Sequence, residues 1–261
     1  MGTRGLTAVI QDGRHRVAQY GQWDHYPTGQ GTTALEFCCN KLNCPAGRER
    51  FRTAVEKTRF VDADEYRKLW ESIGVYLDQN NGMVSMDKSN EFSKLYPHLS
   101  RDCGAEILEL VLDGATDLQD SFDFARESLF CEYCYVVDLD KSCLEIHEGF
   151  QEAPHLRGRF SSLAPRDEYY PVMLVAEFDL SHLPSIAAVP AIMGRLEKML
   201  NLDRNPEDYA EEAEEGTDDI PSITGKLPRE VAMLARQLVT PKARPDPLKR
   251  FSVLSRPRED E

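Results

Sequence analysis

Leu6-Thr7-Ala8-Val9-Ile10, Gln11-Asp12-Gly13-Arg14 and Arg16-Val17-Ala18-Gln19-Tyr20 follow one another near the start of the chain, and their reading decides the fold. Two short β-favouring runs flank an Asp-Gly pair, which suits the left-handed backbone of a tight turn. The stretch therefore predicts a β-hairpin. It leads directly into residues 21–33, a segment with no apolar period and three glycines at Gly21, Gly29 and Gly31, which reads as a loop. Thr32 or Thr33 is placed to cap a helix beginning at Ala34, with Leu35, Phe37 and Cys38 on its buried side.

Downstream, residues 47–112 carry helical spacing. Phe51, Val55 and Thr58 share a face, as do Tyr66, Leu69, Trp70 and Ile73, and later Ile107, Leu108, Val111 and Leu112. An irregular connection is expected at 78–89. Strand patterns return at 130–138 and 142–147, joined by Leu139-Asp140-Lys141 as a second hairpin, and again at 172–178. A final helix is expected over 191–200. Hairpin, helices, hairpin and strand imply an α+β fold, an antiparallel or mixed sheet built from hairpins and covered by helices.

Composition then changes. Residues 207–219 hold eight acidic side chains and no cation, residues 229–238 read as a short amphipathic helix, and residues 242–258 are basic and proline-spaced. The chain is expected to divide into a core at 1–203 and a partly disordered appendage at 204–261 that is able to recruit a protein partner. No internal repeat is evident.

The formal charge of −14 opposes attachment to nucleic acid or an anionic membrane, both of which select clustered cations. No apolar run is long enough to span a bilayer, and Met1-Gly2-Thr3-Arg4-Gly5 lacks a secretory apolar stretch. With Leu6 at the position where N-myristoylation needs Ser or Thr, that modification is not expected either. The seven cysteines, an odd number in a chain read without an export signal, suggest reduced thiols and a cytoplasmic or nuclear location.

Metal chemistry is weighed first among the site readings. Cys131 and Cys134 with His147 offer zinc ligands, but an uninterrupted strand would place residues three apart on opposite faces, so buried inert thiols are the better reading. Asp138, Asp140, Glu145 and Glu148 cluster around the second hairpin without calcium-loop spacing, and read as a solvated face. No cofactor motif is present: there is no P-loop, dinucleotide fingerprint or nucleophile elbow.

The first loop carries more. Gln19, Tyr20, Gln22, Trp23, Asp24, His25, Tyr26, Thr28 and Gln30 put nine hydrogen-bonding side chains into twelve positions. Two readings stand equally: a plug, with Trp23 and Tyr26 closing the end of the sheet, or a small-molecule or peptide site. For a site, the ligand-binding candidates are Arg4, Gln19, Trp23, Asp24, Tyr26 and Gln30. Arg4 would pair an anion, Trp23 would stack a planar substrate, and Asp24 or His25 would move protons.

Met1-Gly-Thr-Arg-Gly-Leu6, Val17-Ala-Gln-Tyr-Gly-Gln-Trp-Asp-His-Tyr-Pro-Thr-Gly-Gln-Gly31, Tyr135-Val-Val-Asp-Leu-Asp140 and Glu148-Gly-Phe150 resemble a family of uncharacterised proteins spread across bacteria, their phages and fungi, over roughly residues 1–185. That family implies no activity. The N-terminal strand, hairpin and following Asp also look like N-terminal nucleophile hydrolases of the choloylglycine hydrolase type, which implies Asp24 as an orienting acid. Removing Met1 leaves Gly2, which has no nucleophile. Thr3 would become the nucleophile only after loss of Gly2 as well. A binding or regulatory module is thus the favoured expectation, with an amide hydrolase and a structural or interaction protein as alternatives.

Overall fold

The computed structural model describes residues 2–77, 84–166 and 168–204. In chain order these form β1 (Gly5–Gln11), β2 (Arg14–Gly21), α1 (Thr32–Phe37), α2 (Pro45–Val55), β3 (Arg59–Phe60), α3 (Ala63–Ser72), α4 (Met86–Leu95), α5 (Ile107–Leu112), β4 (Asp117–Leu118), β5 (Tyr133–Asp138), β6 (Cys143–Glu148), β7 (Met173–Asp179) and α6 (Val189–Arg204). The chain is an α+β protein with a mixed sheet. The acidic run, the 229–238 helix and the basic stretch lie outside the described residues.

The main sheet has five strands in the order β2-β1-β5-β6-β7. β1 and β2 form the expected hairpin, with Asp12 at φ 56° and Gly13 at φ 68° closing the two-residue turn. β5 runs parallel to β1, pairing Gly5 with Tyr133 through Ile10 with Asp138. A parallel pair needs a crossover, and here it is the whole stretch from the loop through α5. β6 and β7 follow as antiparallel neighbours. The tips of the two hairpins are tied together, since the Asp140 carboxylate accepts from the Asp12 and Gly13 N–H groups at 3.0 and 2.9 Å.

β1 and β5 are buried along their whole length, as central strands covered on both faces must be. The two coverings differ. On one face Val9, Val17, Tyr135, Val137, Leu144 and Ile146 meet a helical layer through Leu35, Phe51, Leu108, Met193 and Leu196. On the other, Leu6, Ala8, Ile10, Ala18, Cys134 and Val136 pack against Ala125, Phe160 and Val172. Ala125 comes from a short 3-10 helix at Phe122–Arg126, and Phe160 and Val172 come from irregular segments at 151–166 and 168–172. Trp70, Val75, Phe92 and Leu99 make a small separate core, with Trp70 and Phe92 stacked at 3.9 Å.

Local boundaries shift for physical reasons. The helical pattern at 47–112 is interrupted by β3, which pairs with β4, and Thr58 sits just past α2, its hydroxyl bonding the Arg16 and Val55 carbonyls. The fifth strand begins at Tyr133, so Cys131 precedes it. Cys131 and Cys134 consequently share one apolar cluster rather than facing opposite ways. Both are fully buried, which pushes their thiols well up from the usual range.

Candidate functional site

The expected loop at 21–33 is irregular only to Tyr26. Pro27–Gly31 coil into a helical turn that runs directly into α1 at Thr32, two residues before the expected start and without a threonine cap. The stretch spends its polar groups on the protein itself. His25 is wholly buried, its N–H donates to the Thr3 carbonyl at 3.1 Å, and its own carbonyl accepts from the Tyr135 hydroxyl at 2.6 Å. The imidazole fills a slot left by Gly5 and Gly21, which face each other across the hairpin. A Cβ on Gly21 would lie 1.8 Å from the ring, and one on Gly5 2.3 Å from it. The Gln19 amide donates to the Tyr20 and Ser100 carbonyls at 2.7 and 2.9 Å, and the Gln30 amide oxygen accepts from the Ala105 N–H at 2.7 Å. Thr28 binds Glu197 of α6 through both its N–H and its hydroxyl.

Two of the ligand-binding candidates, Trp23 and Asp24, are exposed, and Arg4 is half-buried. Trp23 is 47% exposed, with Nε1 donating to Asp102 at 3.0 Å. Asp24 is exposed in the left-handed region at φ 58°, its carbonyl holding the Gln30 N–H at 2.7 Å and its carboxylate accepting from the Tyr26 hydroxyl at 3.3 Å. Arg4 lies elsewhere, its guanidinium 4.6 Å from the centre of the Phe130 ring. Thr3, Trp23, Asp24, His25 and Tyr26 therefore stand together, whereas Arg4 and Gln30 are engaged with other segments. Burial lowers the His25 pKa to about 4, so the ring is neutral at neutral pH, with Nε2 buried and unpartnered.

The second hairpin carries a denser arrangement. Alternation along β6 puts Glu145 and His147 on the face of the sheet away from the α-helical layer, beside Asp138 at the end of β5. Arg159, from the irregular covering segment, grips Glu145 through Nε at 2.6 Å and Nη2 at 2.8 Å, and Nη2 also binds the Asp138 carboxylate. Lys141 reaches Glu145 at 3.2 Å, and His147 Nε2 donates to it at 3.1 Å. Asp138 Oδ1 accepts from the Asp140 and Lys141 N–H groups, closing the hairpin turn.

The expectation of a solvated acidic face holds for Asp140, which is exposed, and fails for its three neighbours. Asp138, Glu145 and Glu148 are 2%, 1% and 4% exposed, with Arg159 bound directly against the first two. Asp138 and Glu145 are balanced by Arg159 and Lys141, which makes the burial of these two tolerable. Burial works to raise the Glu145 pKa, but the hydrogen bonds and charges of His147 and Arg159 outweigh it and hold the carboxyl well below its usual range. His147 is fully buried, and burial depresses its pKa despite Glu145. A neutral ring with its proton on Nε2 satisfies both, leaving Nδ1 as an unpartnered acceptor. Cys143 and Glu177 flank Glu145 within 4.8 Å, but both Glu145 oxygens are already bound and burial pushes the Cys143 thiol up to about 12, so the trio is a poor metal cradle.

Above this network lies a cleft of about 480 Å³, lined among others by Ile10, His15, Phe60, Phe122, Arg159 and Phe160. Its wall is aromatic: His15 stacks on Phe122 with ring centres 4.2 Å apart, and Phe122 meets Phe160 at 5.5 Å. His15 is fixed by Asp120 at 3.0 Å. With Nε and Nη2 of Arg159 held by carboxylates, Nη1 is the guanidinium nitrogen without a protein partner among the described residues. None of the loop candidates lines this cleft.

Sequence reasoning missed Arg159, His15, Phe122 and Phe160. The one available signal was the charge alternation Glu145-Ile146-His147 inside an otherwise apolar strand, which marks a polar network when both sheet faces are covered. No protein-family model, curated protein or solved structure matches the chain.

Proposed function

We propose that the protein is a small-molecule binding module whose ligand occupies the cleft over Arg159, while the 21–33 loop serves as scaffold. The observation that carries this reading is a guanidinium locked by two buried carboxylates, facing an aromatic-walled cleft of ligand size with one nitrogen uncommitted. A locked donor loses little rotamer freedom when it binds, which favours recognition. The loop supports the scaffold role because His25, Gln19, Gln30 and Thr28 are already bound to protein groups. The unpaired cysteines suit a reducing, intracellular setting. Among the described residues no helix is long and apolar enough to cross a membrane.

The test is a fragment screen by thermal shift on the full chain, repeated on Leu163→Trp, which narrows the cleft from a half-buried lining position. Ligands that raise the melting temperature of the parent and lose that effect in Leu163→Trp are expected. Fragments that stabilise both proteins equally would place binding elsewhere and remove the cleft from consideration.

A further inference from the structure

Arg14 and Arg159 both line the cleft, and no carboxylate does. The acidic groups that adjoin the wall are bound to other partners. Asp120 holds His15 Nε2 through one oxygen and accepts the Phe122 N–H through the other, each at 3.0 Å. Asp138 and Glu145 are buried and bound to Arg159, with Lys141 as a second cation on Glu145 at 3.2 Å. Two buried negative charges thus meet two positive ones. Arg14 has no such counterpart: it is exposed, and its guanidinium has no carboxylate partner among the described residues. A wall that carries one unmatched cation favours a ligand with a single negative charge.

The donors suit one anion in particular. A guanidinium presents its N–H groups in one plane, which matches a carboxylate, and bonds of this charge-assisted kind are roughly twice as strong as neutral ones. Arg14 supplies the free fork, and Nη1 of Arg159 adds a donor whose direction is set by the contacts of Nε and Nη2 with Glu145 and Asp138. Beside these donors the wall is flat and apolar. His15 stacks on Phe122, and Phe122 meets Phe160 at 48°, a corner against which a ring packs by offset or edge-to-face contact.

Resting on the cleft reading above, we propose that the ligand is an aromatic monocarboxylate, a planar system of one or two rings bearing a single acid group. Its carboxylate is received by Arg14 and by Nη1 of Arg159, and its ring packs on Phe122 and Phe160. The corresponding amide keeps the ring contacts and forfeits the attraction of Arg14, so specificity lies in charge as much as in shape.

The matched probes are 2-naphthoate and 2-naphthamide, which share their rings and differ in charge. Titration calorimetry on the full chain is expected to show the naphthoate binding at least about tenfold more tightly, a gap of about 1.4 kcal/mol. Arg14→Gln, at an exposed position, is expected to erase most of that preference, and Leu163→Trp to abolish naphthoate binding. Equal or tighter binding of the naphthamide would overturn the anionic class while leaving the cleft as a site. An undiminished preference for naphthoate in Arg14→Gln would overturn the placement of the carboxylate, and undiminished naphthoate binding by Leu163→Trp that of the ring. If neither probe binds but the fragment screen yields ligands sensitive to Leu163→Trp, the ligand class is wrong and the site stands. If the screen also yields none, the cleft reading itself falls.

Discussion

The 21–33 loop and the network around Arg159 are built from similar side chains and do opposite things with them. Along residues 19–30, polar residues lie close together in sequence and disperse in space: Gln19 at the end of β2 turns to Ser100, Gln30 to Ala105, Thr28 to Glu197 and His25 to Thr3. Around Arg159, residues from separate stretches converge on one point, with Asp138 and Glu145 lying 21 and 14 positions away in the chain. Crowding along the chain measures how much backbone a loop must satisfy. Convergence from distant segments is what leaves a donor free to face a cleft.

The sharpest way to break this contrast is to remove the centre of convergence. Arg159→Met leaves Asp138 and Glu145 buried without their main cation, and unfolding in urea is expected to show a loss of about 3–5 kcal/mol. Adding Asp138→Asn and Glu145→Gln should recover most of it. A loss under about 1 kcal/mol in the single variant would mean that water already reaches the carboxylates.

Acid should strain the loop next. His25 takes up a proton near pH 6.5 in the unfolded chain and only near pH 4 in the folded one, so the unfolded state binds more protons between those values. Stability is complete above about pH 6.5 and declines as pH falls toward 4, by about 3 kcal/mol for this group, with buried His147 acting in the same direction. Urea midpoints at pH 7.5 and 4.5 measure the slope, and His25→Gln should flatten it. An unchanged slope in that variant would show that the imidazole is not the buried neutral plug described here.

A smaller effect is expected from Gly21→Ala, whose new methyl group meets the His25 ring. Overpacking of this kind costs about 1–3 kcal/mol. In a double-mutant cycle with His25→Ser, the cost should shrink, because the obstructed ring is gone. Additive costs would locate the strain in the backbone of β2 instead.

Much of the fold was legible because local rules governed it. Asp12-Gly13 specified a two-residue turn, and the face formed by Tyr66, Leu69, Trp70 and Ile73 did become part of one small core. What local rules could not supply was the partner of β1 across the crossover. The parallel pairing with β5 depends on contacts from residue 5 to residue 133, for which a sequence period carries no signal. The site was hidden for the same reason. The acidic hairpin read as solvated because Arg159 sits in a segment without periodicity, and nothing in the pattern around it announces that Arg159 and Phe160 lie against the sheet beside Asp138 and Glu145. The loop was visible as polar, yet only the distances to Thr3, Ser100 and Ala105 reveal that its polarity is consumed internally.

The tie between the hairpin tips has a consequence for synthesis. Asp140 caps a turn that left the ribosome 128 residues before it, and β1 waits equally long for its neighbour β5. Until then the first hairpin presents a long apolar strand edge with no occupant, a state that invites pairing with other nascent chains. High contact order of this kind makes folding slow relative to the appearance of the first hairpin. The Asp140 carboxylate thus works as a late latch, making the earliest-formed element of the protein among the last to be secured.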